Sequence, residues 1–412
     1  MKKSSEIIVF GKEIFSPARV IKNGIIKIRD GVIESIQEGI TPATFKKSTL
    51  KKNRKDAEFL EGDIIAPGYL DIHIQGCNGF DFIDTDSAGV KRILEGALKG
   101  GATQILPTIT ISKNDTDLKR FKATIKAISE NLNYKDGAEI AGIHLEGPYL
   151  NIEKRGGFPP DFIKPPSLTE FKEIISIIKD FCGDNFLKLI TIAPEINGAV
   201  EIIKYALDMG ISVAIGHTTA SYDLVVKMFS IGVNHITHIF NAMSGLNHRE
   251  PGVLGAALEN ENIFCQVIPD GIHLHPAILR ILLSLKGADR LAIISDGTAP
   301  CGLKEGSIIK AFNGSSIFTI KDGAVRNEDG TLAGSALLMN RAVASFKKFT
   351  NASLNQVFTM SSLTPAKSVA LISAKQKHLI HPKLKANLIV LSKNLGIKFI
   401  IYRDKIFEES EL

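Results

Sequence analysis

The middle of the chain repeats one pattern, a short apolar run followed by a longer stretch whose apolar positions recur every three or four residues. The runs are YLDIHI, TQILP, IAGIHLE, LKLITIAP, ISVAIGH, HITHI, IFCQVIP and LAIISD, and segments such as AGVKRILEGALKGG and LKRFKATIKAISENL lie between them. Alternating strand and amphipathic-helix signals predict βα units and a parallel sheet. Eight such units in roughly 230 residues match the length of a (β/α)₈ TIM barrel. A doubly wound open sheet is the alternative, but no GxGxxG follows the first strand.

Both ends of the chain have a different texture. EIIVFG, GIIKIRDG and GVIESIQEG alternate with period two and turn at Gly and Asp, and ANLIVLS and IKFIIYRDKIFEE repeat the texture near the C-terminus. These segments predict a small β-sandwich formed from both termini. The expected boundaries are 1–62 and 374–412 for the sandwich and 63–373 for the barrel.

Composition narrows the class. With 412 residues, 44% hydrophobic and 23% charged, the chain has material for a large α/β core. The net charge of +6 is small for this length, and much of it sits in Lys46–Lys55. That stretch lacks interleaved aromatic residues and is expected to be a solvated loop, with no nucleic-acid partner. Cys77, Cys182, Cys265 and Cys301 show no CxxC spacing, which suggests reduced thiols. The apolar stretch near the start is only Ile7 to Phe10, and no run approaches a membrane span. The expectation is a cytoplasmic protein with no membrane partner.

The predicted strands end in chemically loaded residues: Asp71 and His73, His144 and Glu146, His217, His238, Asp270 and His273, and Asp296. Singly, each has an ordinary explanation; a strand-end histidine is usually a hydrogen-bonded structural group. Jointly, two histidines and a carboxylate on one barrel face form a ligand set for Zn²⁺ or Fe²⁺ with a position open to water. A further aspartate nearby can handle protons.

These residues lie inside longer segments: PGYLDIHIQGCNGFDF, GIHLEGPYLNIEKRGG, GHTTASYD, THIFNAMSGLNHREPGVLGAAL, DGIHLHP, SDGTAPCGL and GTLAGSALLM. In this order they resemble the N-acetylglucosamine-6-phosphate deacetylases of the amidohydrolase superfamily. The resemblance implies metal-dependent removal of an acetyl group from a sugar phosphate, in amino-sugar catabolism, by a homodimer whose site the neighbouring subunit completes. Glu146, His217 and His238 match the metal ligands, and Asp296 matches the catalytic acid/base. His273 matches the residue that helps polarise the acetyl carbonyl. Gly157, Asn241, Ala242, Arg249, Leu332, Ala333 and Gly334 fall in the substrate-contacting segments.

The chain departs from the family pattern at two places. Many amidohydrolases place HxH on the first strand for a second metal, whereas this chain has His73-Ile74-Gln75. Glutamine is a poorer ligand for a borderline-soft metal, so one metal per subunit is expected, with at most a weak second site at His73 and Gln75. Phe158 stands where the family commonly has a sugar-contacting histidine, which keeps the galactosamine epimer or a related acetamido sugar phosphate as an alternative substrate. A non-catalytic binding protein on an inactive barrel is the alternative from another class. Retention of Glu146, His217, His238 and Asp296 argues against it.

Overall fold

The computed structural model describes residues 2–3, 6–17, 19–45, 57–312 and 314–408. The basic stretch Lys46–Lys55 lies outside them. Eight parallel strands form the central sheet: β1 (Tyr69–Ile74), β2 (Ala102–Ile109), β3 (Ile143–Glu146), β4 (Leu187–Ile192), β5 (Ser212–Ile215), β6 (His235–Ile236), β7 (Phe264–Val267) and β8 (Leu291–Ile293). Each pairs with the next in chain order. Beyond β8 the chain returns to β1, with Asp296 N–H donating to the His73 carbonyl at 3.0 Å and a parallel bridge between Ile74 and Gly297. The sheet is therefore a barrel, as the apolar runs predict.

A helix follows every strand: α1 (Ser87–Lys99), α2 (Lys119–Ser129), α3 (Leu168–Cys182), α4 (Ala199–Asp208), α5 (Tyr222–Ser230), α6 (Gly252–Glu259), α7 (Pro276–Lys286) and α8 (Met339–Phe349). In α1 the Asp86 carboxylate accepts from the N–H groups of Ala88 and Gly89, and Val90, Ile93, Leu94 and Ala97 form the buried stripe. Burying side chains of this size stabilises by about 1.5–3 kcal/mol each. On β4, Ile190 and Ile192 join the core against the helices, whereas Leu189 packs in a separate cluster with Leu70, Leu106, Ala214 and Ala292. That second cluster fills the barrel interior.

Polar groups complete the interior. His144 bonds through Nδ1 to Thr108 Oγ1 (3.1 Å) and through Nε2 to Thr191 Oγ1 (2.8 Å). It cross-links β2, β3 and β4, and burial pushes its pKa well below the ordinary value. Asp71 accepts from Ser295 Oγ and from the N–H groups of Ser295 and His73, at the seam where β8 meets β1. Both residues thus serve the barrel's architecture.

His235 is fully buried near the Phe264 ring, and neither ring nitrogen has a hydrogen-bond partner. Burial pushes its pKa down to about 3. Between that value and about 6.5 the unfolded chain binds a proton that the folded chain refuses, so this residue costs stability as pH falls, by about 1.4 kcal/mol per unit. His235→Leu should lose less stability than the parent between pH 6.5 and 5 when unfolding midpoints are compared. Equal slopes would show that the imidazole is already protonated in the fold.

The two ends of the chain form one eight-stranded sheet. Its centre is Ala57–Pro67, parallel to Glu6–Ser16 on one side and antiparallel to Asn387–Leu391 on the other. The sheet curls so that the start of Val32–Gln37 bonds back to residues 384–386, and Ile7, Val9, Ile26, Leu388 and Ile401 share one core. This is the β-rich unit expected from both termini.

The sequence reading did not anticipate an antiparallel insertion after β8, comprising Ile308–Ala311, Ser316–Lys321 and Ala324–Arg326. It brings Phe312 and Phe318 against Phe158 and Phe162 in a small satellite core.

Candidate active site and metal centre

Glu146 closes β3, His217 lies just beyond β5 and His238 just beyond β6. Glu146 Oε1 is 3.2 Å from each histidine Nε2, and the two Nε2 atoms are 3.1 Å apart. A tetrahedral ion with bonds of about 2.0–2.2 Å sets its ligand atoms about 3.3 Å apart, so these three donors fit one ion with little movement. His217 Nδ1 donates to the Lys154 carbonyl at 2.7 Å, which leaves the Nε2 lone pair for a metal. Burial alone would raise the Glu146 pKa, but His73, His217 and His238 hold it well below the usual carboxylate range. Burial lowers His238, which favours the neutral imidazole that a metal requires.

His217, His238 and Asp296 all adopt left-handed backbone conformations, with φ of 49°, 24° and 49°. Such strain costs about 1–3 kcal/mol per non-glycine residue and gathers at functional positions. Asp296 is held there by its own N–H bond to His73 and by Ser335 N–H donating to its carbonyl at 2.7 Å. The neighbouring Gly334 has φ of 68°, and a Cβ there would meet the Asp296 carbonyl oxygen at 2.6 Å, so only glycine fits the turn.

His73 and Gln75 lie beside this cluster, both in contact with Glu146. Gln75 presents its amide N–H to Glu146 Oε2 at 2.8 Å. His73 Nε2 lies 3.0 Å from Glu146 Oε2 and 3.1 Å from Asp296 Oδ1. Burial alone would lower its pKa, yet the two carboxylates raise it to about 10. The first-strand pair lies outside the ligand cluster of Glu146, His217 and His238.

The three donors open onto a cavity of about 320 Å³, also lined by Gln75, Gly157, Asn241, Ala242, His273, Asp296, Leu332, Ala333 and Gly334. His273 Nδ1 donates to Asp270 Oδ2 at 2.6 Å. Burial works against the protonated ring, but the bond and charge of Asp270 raise His273 above its ordinary pKa. Arg249 lies apart from this lining. It is exposed, its N–H caps Asn247 Oδ1 at 2.8 Å in the turn after β6, and it does not line the cavity.

An amidohydrolase family model matches residues 64–410. The N-acetylglucosamine-6-phosphate deacetylase of Bacillus subtilis is 31% identical over 396 residues, 95% of each chain. The chain belongs to the amidohydrolase family, among the N-acetylglucosamine-6-phosphate deacetylases. The N-acetylgalactosamine-6-phosphate deacetylase of Escherichia coli O157:H7 is 27% identical and covers 91% of this chain, which spans 92% of that protein. The crystal structure of the N-acetylglucosamine-6-phosphate deacetylase of Thermotoga maritima superimposes with a TM-score of 0.81 at 27% identity, over 97% of this chain and 99% of that one. This amidohydrolase is accordingly a hydrolase, and its family and its ligand cluster both imply a divalent metal. Among the described residues, no helix is long and apolar enough to cross a membrane.

The amidohydrolase cavity also contains residues that the strand-end pattern did not single out: Thr298, Phe312, Phe318 and Thr331. All four follow β8, in or beside the insertion, and only SIFTIK carried a period-two signal that could have exposed it. The Phe158 ring packs edge-on against the His217 ring, with centroids 5.3 Å apart. It brings an apolar face to the cavity where the family resemblance expects a hydrogen-bonding histidine.

Proposed function

We propose that this amidohydrolase removes the acetyl group from N-acetyl-D-glucosamine 6-phosphate, giving glucosamine 6-phosphate and acetate. One observation carries the reading: the cluster of Glu146, His217 and His238 opens onto the same cavity as Asp296. Those three residues would hold one divalent ion per chain. The two imidazoles and one carboxylate suit Zn²⁺, with Fe²⁺ as the alternative. The bound ion supplies Lewis-acid polarisation of the amide carbonyl and acidifies a water.

Asp296 takes a proton from the attacking water as the carbon–oxygen bond forms, then gives it to the sugar nitrogen as the carbon–nitrogen bond breaks. Amide and water thus become acetic acid and amine, which settle as acetate and ammonium, with no other reactant. His273, its Nδ1 held by Asp270, turns its remaining nitrogen to the carbonyl oxygen and helps polarise it. Gly157, Asn241, Ala242 and the turn Leu332–Gly334 contact the sugar. We further place the chain in the cytoplasm, where four free cysteines persist, and in a homodimer. The exposure of Arg249 fits a phosphate contact completed between two copies of the chain.

The test is an acetate-release assay on N-acetylglucosamine 6-phosphate with Zn²⁺-loaded protein, beside the galacto epimer and the non-phosphorylated sugar. Faster release from the galacto epimer would favour the second substrate reading, which Phe158 supports; no release from either phosphate sinks both. Arg249→Ala should reduce kcat/KM for the phosphorylated sugar by about 10- to 100-fold, the scale of a lost charge-assisted hydrogen bond. Residual activity on the non-phosphorylated sugar should barely change. Equal damage to both would make Arg249 structural.

A further inference from the structure

Gln266 lies in β7 and is fully buried. Its Oε1 lies 3.5 Å from the backbone N–H of His238, a long contact but one that only an oxygen can accept. That fixes which end of the amide faces the metal centre. The same oxygen is 2.9 Å from His73 Nδ1, so Nδ1 carries a hydrogen and donates it. The other nitrogen of His73 meets two carboxylate oxygens, Glu146 Oε2 at 3.0 Å and Asp296 Oδ1 at 3.1 Å. A polar chain therefore runs from Gln266 through His73 to the carboxylate assigned to proton transfer.

Packing does not explain this glutamine. Its own amide Nε2 is buried without a hydrogen-bond partner, a cost that a leucine of similar volume would avoid. What leucine lacks is the acceptor for His73. We propose that Gln266 is a positioning residue for the deacetylation: it orients His73 so that Nε2 faces both Glu146 and Asp296. Asp296 is thereby restrained through Oδ1, and its second oxygen is left for the water and the sugar nitrogen. The inference rests on the function proposed above for Asp296.

The test uses the full-length, Zn²⁺-loaded enzyme carrying Gln266→Leu, Gln266→Met or Gln266→Glu. The leucine and methionine variants fill the space without an acceptor; the glutamate variant restores one. Leu and Met should lower kcat by about 10- to 100-fold, the scale for groups that orient a metal site from behind. KM should stay within about threefold and metal content at one ion per chain, because a misaimed Asp296 slows the chemical step without weakening binding. Glu should recover most of the lost turnover. If the leucine variant does not fold, the more flexible methionine carries the comparison.

Three outcomes overturn the proposal: parental kcat without an acceptor, a glutamate variant as impaired as the others, or loss of metal or a parallel rise in KM. A parent that releases no acetate overturns the functional reading instead, so the two failures are distinguishable.

Discussion

Asp296→Asn is expected to lower turnover by about 10²- to 10⁴-fold, the usual contribution of a general acid–base group. Asparagine has nearly the same shape, and its oxygen can still accept from His73 across the 3.1 Å contact. The left-handed backbone at this position tolerates asparagine as readily as aspartate. The variant should therefore fold and keep its metal. It cannot take a proton from water and return it to nitrogen. The loss should appear in kcat with KM nearly unchanged, the pattern of an interaction made in the transition state alone. Steady-state kinetics with metal analysis on the same sample decides; turnover within a few-fold of the parent would remove Asp296 from the mechanism.

The barrel was legible because its strands are short apolar runs that end in polar, titratable residues. YLDIHI becomes β1 as written, and LKLITIAP supplies β4 with its first six residues. The metal cluster was legible for the same reason, since Glu146, His217 and His238 each sit at or just past a strand end. Roles fixed by non-local contacts were not. Asp71, His73 and His144 look equally loaded in sequence, yet hydrogen bonds across the barrel make Asp71 a seam and His144 a cross-link. His73 looked like half of a second metal site. Its ring is also in contact with Gln266, 193 positions away in the chain and inconspicuous inside an apolar run.

The insertion after β8 escaped for a different reason. Its strands are only four, six and three residues long and partly exposed, which leaves little periodic signal, although Phe312 and Phe318 close one wall of the cavity. The exposure of Arg249, in a turn where its N–H donates to Asn247 Oδ1, is not reported by its spacing from His238.

Chelation should abolish turnover, and about one equivalent of Zn²⁺ per chain should restore it. Glu146→Ala should not be rescuable at any practical metal concentration. Glu146 is the one anion that His217, His238, His73 and Gln75 all address. Without it two neutral imidazoles remain as ligands, and His73 loses a counter-charge in a fully buried setting. The metal should also stabilise the fold, by about 2.7 kcal/mol when free metal is a hundredfold above its Kd, so the melting temperature should fall on chelation and recover with Zn²⁺. In Glu146→Ala it should not respond to Zn²⁺.

The stoichiometry tests the same geometry from the other side. A second ion beside Glu146 Oε2 would need His73 to surrender the hydrogen it shares with Asp296, and Gln75 to turn its amide around. Both changes cost hydrogen bonds to buried carboxylates. Metal analysis should therefore give one ion per chain even with Zn²⁺ in excess. Two tightly held ions would mean that His73 is a ligand, that Gln75 turns its oxygen to the metal, and that the orientation assigned to Asp296 belongs to the metal-free state alone.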